Sequence, residues 1–167
     1  MPEKYKDSSL SPGERANNYR FSYDAMHYSD TKDGPLYPFG AGLGYKRPDY
    51  RGFEIKERRI SIKGLENMPL HISFFMKNES SKELWGIPMV YISRKQGNVV
   101  PRIMELKAFE KRRLCAYEGC QIEIVLDKET FLFYDASMKA VVEPGEFTIT
   151  IKDGTKLLWE EAITLSD

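Results

Sequence analysis

The stretch VVEPGEFTITIKDGTKLLWEEAITL, residues 141–165, decides the fold class. Phe147, Ile149 and Ile151 alternate with Thr148, Thr150 and Lys152. Leu157, Trp159, Glu161, Ile163 and Leu165 share one parity in the segment that follows. A period of two belongs to a strand that turns one face to a core and the other to water. Between the two runs, Asp153-Gly154 reads as a two-residue hairpin turn in which glycine accepts a positive φ. Pro144-Gly145 suits a type II turn ahead of Phe147. The stretch therefore predicts an antiparallel hairpin.

Working outward, the same alternation recurs. Leu70, Ile72, Phe74 and Met76 fall on one face of PLHISFFMKN, and Cys120, Ile122, Ile124 and Leu126 on one face of CQIEIVLD. Further strands are expected in GFEIKERRISI (52–62), GIPMVYISR (86–94), MELKAFEKRRL (104–114) and TFLFYD (130–135). Glu118-Gly119 separates two runs, and Pro88 removes a backbone donor, which places it near an edge or bulge. No segment carries a helical stripe. Short strands punctuated by turns point to an all-β protein, an antiparallel sandwich of the immunoglobulin or fibronectin III-like kind over residues 50–167. A Cys…Trp…Cys spacing is absent, so an antibody-type domain is not expected.

Residues 1–49 read as an irregular N-terminal arm and linker. Their Ser, Asn, Asp, Pro and Gly clusters show no sustained period, yet they hold Tyr5, Tyr19, Tyr23, Tyr28, Tyr37 and Tyr45. Disordered tails are poor in aromatics, so the arm is expected to bury rings on a surface, with Tyr19, Phe21, Tyr37 and Phe39 substantially buried and residues 1–10 most mobile. The segment GPLYPFGAGLGY (34–45) is too rich in Gly and Pro for a helix or central strand. Its prolines favour an extended path, and Tyr37, Phe39 and Tyr45 are placed to pack the start of the first strand.

The chain of 167 residues has a formal net charge of +0 and a pI near 6.8, which gives no electrostatic case for nucleic acid or an anionic membrane as partner. MPEKYKDSSL lacks the apolar core of a secretion signal, so a cytoplasmic location is expected if this is the natural full chain. Cys115 and Cys120 are too few for a disulfide framework and read as two small buried or half-buried thiols.

A search for chemistry yields little. His27 lies in the arm, and His71 alternates away from the Leu70 face and reads as a surface histidine. Two His and two Cys give no metal-ligand spacing. GAGLGY does not match the dinucleotide-binding glycine pattern and follows no βα unit. The 25 acidic residues are plentiful, but most, such as Glu123, alternate with apolar residues and read as solvated faces. EKRR (110–113) reads as a charged strand edge. Trp85 and Trp159 are the candidates for a sugar-stacking platform; the parity of Trp159 favours the core.

Pro35-Leu36-Tyr37-Pro38-Phe39-Gly40, then Gly42-Leu43 and Tyr45, resembles the PLYPFGxGLSY segment of family 3 glycoside hydrolases. The stretch YKDSSLSPGERANNYRF before it is similar to the Pro-Gly…Tyr-Arg stretch that precedes that segment in β-xylosidase-like members. VVPRIMELKAFEKRRL matches a further family motif through Pro101, Leu106, Lys107 and Phe109, and VVEPGEFTITI resembles a strand near the domain end. Gly44 and Lys46 depart from the usual Ser and Thr, and WGIPMVYIS keeps Gly86, Val90 and Tyr91 of its counterpart but not its Glu and Gln.

The resemblance implies the C-terminal fibronectin type III-like domain of a β-glucosidase or β-xylosidase. In that family the nucleophilic Asp lies in an N-terminal barrel and the acid/base Glu usually in a following α/β domain. A retaining glycosidase needs its two carboxyl groups about 5 Å apart. No Asp or Glu of this chain matches either motif, so no catalytic, cofactor-binding or metal residue is carried over and no cofactor is implied. The chain is expected not to be an enzyme by itself. The expected function is that of a non-catalytic accessory domain whose partners are the catalytic domains of such a glycosidase, in cis or in trans, with weak homodimerisation through any bared surface. Two alternatives stand beside it: an autonomous carbohydrate-binding module, which exposed coplanar rings would favour, and a protein-interaction module with an apolar patch.

Overall fold

The computed structural model describes residues 39–42, 44, 46–94, 104–135 and 137–167. Tyr19, Phe21, Tyr37, Tyr45, His27 and Pro101, on which parts of the sequence reading rest, lie outside the described residues, as do residues 1–10. Phe39 is described, and contrary to expectation it is 74% exposed. Gly42–Asp167 forms one compact unit.

Twelve strands are described, in the order β1 (Asp49–Ile55), β2 (Arg59–Ser61), β3 (Leu70–Lys77), β4 (Leu84–Gly86), β5 (Pro88–Arg94), β6 (Glu105–Phe109), β7 (Arg112–Leu114), β8 (Gly119–Leu126), β9 (Phe133–Tyr134), β10 (Ala140–Val141), β11 (Gly145–Asp153) and β12 (Lys156–Ser166). One sheet has the order β1-β3-β8 and the other β2-β12-β11-β5-β6, with β4-β7 and β9-β10 as two-stranded extensions. All pairings are antiparallel except β2 with β12. Ile72, Phe74 and Met76 of β3 and Ile122, Ile124 and Leu126 of β8 share one buried cluster with Val90 and Ile92 of β5, Phe147, Ile149 and Ile151 of β11, and Ile163 and Leu165 of β12. Burial of these faces against each other, worth about 2 kcal/mol per aliphatic side chain, holds the two sheets as a sandwich.

The hairpin read first is present, shifted by one residue. Asp153 pairs with Lys156, so the turn residues are Gly154 and Thr155. Gly154 has φ +60 and Thr155 is not in the left-handed region, the pattern of a type II′ turn. Ile151 faces Trp159 but Lys152 faces Leu157, so Leu158 is an extra residue that bulges the strand. The bulge turns Leu157 to the outer face, against the parity reading, and brings Leu158 and Trp159 to the edge of the core.

Two expected strands are each divided between sheets. The run 52–62 becomes β1, which pairs with β3, and β2, which pairs with β12. The run 104–114 becomes β6 against β5 and β7 against β4. The run 130–135 opens instead as a 3-10 turn, Lys128–Phe131, capped by Asp127, whose Oδ1 accepts from Thr130 N at 3.0 Å. A short helix, α1 (Ile62–Asn67), was not anticipated; six residues are too few to show a stripe. Ser61 caps it, its Oγ accepting from Gly64 N at 2.9 Å, and Leu65 plugs the core. Pro88 opens β5 at the break after β4, where its missing N–H costs no ladder bond.

Candidate functional surface

The residues singled out for chemistry are scattered. On the outer face of the three-stranded sheet, His71 Nδ1 and Glu123 Oε1 sit 2.7 Å apart, both exposed. Both side chains thus stand on a solvated face, as their alternation indicates. Cys115 and Cys120 are free; Cys120 is half-buried, but Cys115 is exposed on a turn, contrary to the expectation of two sheltered thiols. Among the described residues, no group of three or more His, Cys, Asp or Glu is close enough together to hold a metal ion.

The two tryptophans part company. Trp159 stacks on Phe53, ring centroids 5.8 Å apart, and Phe53 stacks on Phe74 at 4.8 Å. Phe53 reaches both because β1 bulges between Arg51 and Glu54, with Gly52 at φ +66. Trp85 is half exposed on β4, with Lys111 Nζ 4.9 Å from its ring. The EKRR segment bridges β6 and β7, and its Arg113 pairs with Glu83. The ring pairs of Tyr50, Phe53, Phe74, Trp159, Phe131 and Phe147 all involve core aromatics, so they form no exposed platform for a sugar face.

Polar contacts close the sandwich where the chain runs into β1. Tyr50 Oη donates to Asp153 Oδ2 at 2.7 Å, and Arg47 Nη1 donates to the Asp153 carbonyl at 3.0 Å. Burial, then the Asp153 carboxylate, pushes the Tyr50 hydroxyl well above the usual phenol range. This clasp joins β1 of one sheet to the β11–β12 hairpin of the other. Gly86 is required beside it: a Cβ there would clash with Met76 Sδ and would meet Pro48 Cγ and Tyr50 Oη at 2.9 Å.

Asn78 completes this end. It is fully buried; its Nδ2 donates to the carbonyls of Lys82 (2.8 Å) and Cys115 (2.7 Å), and its Oδ1 accepts from Ser80 N at 2.8 Å. One side chain thus ties the loop after β3 to the turn before β8. That turn holds Tyr117 at φ +61, its N–H donating to the Ser80 carbonyl at 3.1 Å.

A different device stands at the opposite end. Arg94 Nη2 donates to Glu143 Oε2 at 2.6 Å, with the guanidinium 4.6 Å from the Phe133 ring and 5.6 Å from that of Phe147. Arg94 Nε is buried with no hydrogen-bond partner among the described residues. Sequence reasoning missed Asn78, the Tyr50–Asp153 pair and Arg94. The only available signal was an amide or charge at the end of an otherwise apolar run.

A fibronectin type III-like domain family matches residues 87–155. The chain is 31% identical over 134 residues to a putative β-xylosidase of Formosa agariphila, covering 80% of this chain and 16% of that protein. It is 33% identical over 126 residues to thermostable β-glucosidase B of Acetivibrio thermocellus, covering 74% of this chain and 16% of that protein. Among solved structures, the GH3 β-glucosidase of Bifidobacterium adolescentis superposes with a TM-score of 0.67 at 26% identity, over 77% of this chain and 18% of that one. The chain therefore spans under a fifth of the length of each of these relatives. The paired sheets, the shared core and these matches together make the chain a member of the fibronectin type III-like domains, of the kind that β-glucosidases and β-xylosidases of glycoside hydrolase family 3 carry as a minor part of a longer polypeptide.

Proposed function

We propose that the chain is a non-catalytic accessory domain that supports the catalytic part of a β-glucosidase- or β-xylosidase-like glycosidase. The observation that carries this reading is the partial coverage: 80% and 74% of this chain align, but to only 16% of the β-xylosidase and 16% of the β-glucosidase. The side chains of Asn78, Tyr50, Asp153 and Arg94 hydrogen-bond to other parts of the sandwich, which suits a supporting role. On this reading the catalytic carboxylates belong to the rest of the polypeptide, and this domain contributes stability and shape.

Replacement tests it. In the Acetivibrio β-glucosidase, the segment matched by this chain is deleted or exchanged for the complete 167-residue chain. The deleted enzyme is expected to inactivate faster on heating, and the exchanged enzyme to recover. An exchanged enzyme no more durable than the deleted one would refute the supporting role.

A further inference from the structure

The sandwich exposes four large apolar side chains at one end. Trp85 (51%), Phe109 (63%), Tyr117 (65%) and Leu157 (54%) are all open to solvent. Strand register places them together at the end where the chain enters β1. Asp49 pairs with Lys77 and Lys77 with Gly119, so Tyr117 stands just beyond this end of the first sheet. In the second sheet Asp153 pairs with Pro88 and Lys156, and Lys152 lies between Leu157 and Met89, which faces Phe109. Leu157, Lys152, Met89 and Phe109 thus lie in one row of the outer face, with Leu157 and Phe109 exposed at its two ends and Met89 buried between them. Trp85 adjoins Gly86, which packs on Pro48 and Tyr50.

The backbone under these side chains is fixed. Asn78 holds the loop beside Tyr117, whose ring is exposed, and the Tyr50–Asp153–Arg47 clasp fixes the hairpin beside Leu157. A rigid display loses little conformational entropy on contact, which is the condition for an aromatic anchor. Lys111 and the Arg113–Glu83 pair supply a polar rim.

We propose that this end of the sandwich is a docking face, and that its occupant is the folded body that precedes the domain in glycosidases of this kind. The inference rests on the accessory reading above and names the surface through which it acts. The location of the chain argues for this occupant. Arg47 and Pro48 are pinned against Asp153 and Gly86, so the polypeptide that leads into β1 arrives at this face. In the relatives, most of the polypeptide lies outside the matched segment. A body tethered through residues fixed here is held at high effective concentration against Trp85 and Phe109, whatever its intrinsic affinity.

The exchanged β-glucosidase carrying the 167-residue chain provides the test. One variant combines Trp85→Ala with Phe109→Ala; the comparison combines Tyr134→Ala with Met138→Ala, exposed residues of the β9–β10 hairpin. Thermal inactivation of the enzyme and melting of the isolated chain are both measured. The first variant is expected to inactivate at least about five-fold faster, since truncating two contact residues removes more than one moderate interface contact. The comparison variant is expected to match the unaltered exchange, and the isolated chain to melt alike in every form. If Trp85→Ala unsettles the isolated chain, Phe109→Ala alone carries the comparison. Equal inactivation of the two variants would overturn the docking face. So would a dimer of the isolated chain that the Trp85/Phe109 variant abolishes, because it would assign the face to a second copy. An unaltered exchange that fails to outlast the deleted enzyme would instead remove the accessory reading itself.

Discussion

Where the chain enters the sandwich, Tyr50 is hydrogen-bonded to Asp153, and Asn78 separately to the backbone of Lys82, Cys115 and Ser80. At the opposite end, the charge of Arg94 is enclosed by Glu143 and two aromatic rings, and its Nε is left without a partner among the described residues. The Tyr50–Asp153 clasp joins the two sheets, whereas Arg94 ties β5 to the segment before β11 and to a β9 ring, and the consequences of damage differ. At the entry end, the groups that Asn78 or the Tyr50 hydroxyl would leave behind each lose a single hydrogen bond, at moderate cost. The Arg94 guanidinium is sheltered, and its removal takes away a charge-assisted hydrogen bond and two ring contacts together.

The largest effect is therefore expected at the Arg94 end. Arg94→Ala should lower the unfolding free energy by about 3 kcal/mol, read as a shifted urea midpoint at an unchanged slope. Arg94→Lys should recover only part of it, because an ammonium cannot keep both the carboxylate contact and the flat stacking between Phe133 and Phe147. Full recovery by lysine would mean that charge alone matters there. Asn78→Ala comes next, at about 2 kcal/mol, since the carbonyls of Lys82 and Cys115 and the N–H of Ser80 each lose a buried partner. Hydrogen exchange should show that loss first in the loop after β3 and the turn before β8; a uniform change across both sheets would contradict the local role.

The smallest expected effect is that of Tyr50→Phe, about 1 kcal/mol at neutral pH, and it has a distinctive pH dependence. The folded protein holds the Tyr50 proton more tightly than an ordinary phenol, through burial and Asp153. Its contribution is intact below about pH 10, the phenol value in the unfolded chain, and is lost as the pH rises toward the higher folded value. The parent should lose stability above that pH more steeply than Tyr50→Phe. Parallel alkaline profiles would remove the clasp from the account.

What the sequence discloses follows from how local each signal is. The β11–β12 hairpin is legible because pairing, alternation and turn lie within one continuous stretch, and β3 and β8 are legible through alternation alone. The bulge at Leu158 is not, because one extra residue leaves no compositional trace, and it reverses the side on which Leu157 falls. The divisions of 52–62 and 104–114 are hidden for a related reason: each run keeps a strand-like pattern while its two halves pair with different strands, a long-range choice. Asn78 reads as an ordinary loop amide until the turn 36 residues later in the chain folds against it. Family motifs pointed to the accessory role, whereas the exposed ring cluster required the register of both sheets.

The central claim, that this chain supports catalysis without performing it, is tested most directly by assaying the purified protein on aryl β-glucosides and aryl β-xylosides. The account predicts release of the aryl group no faster than in buffer. Turnover abolished by replacing a single Asp or Glu of this chain would contradict it.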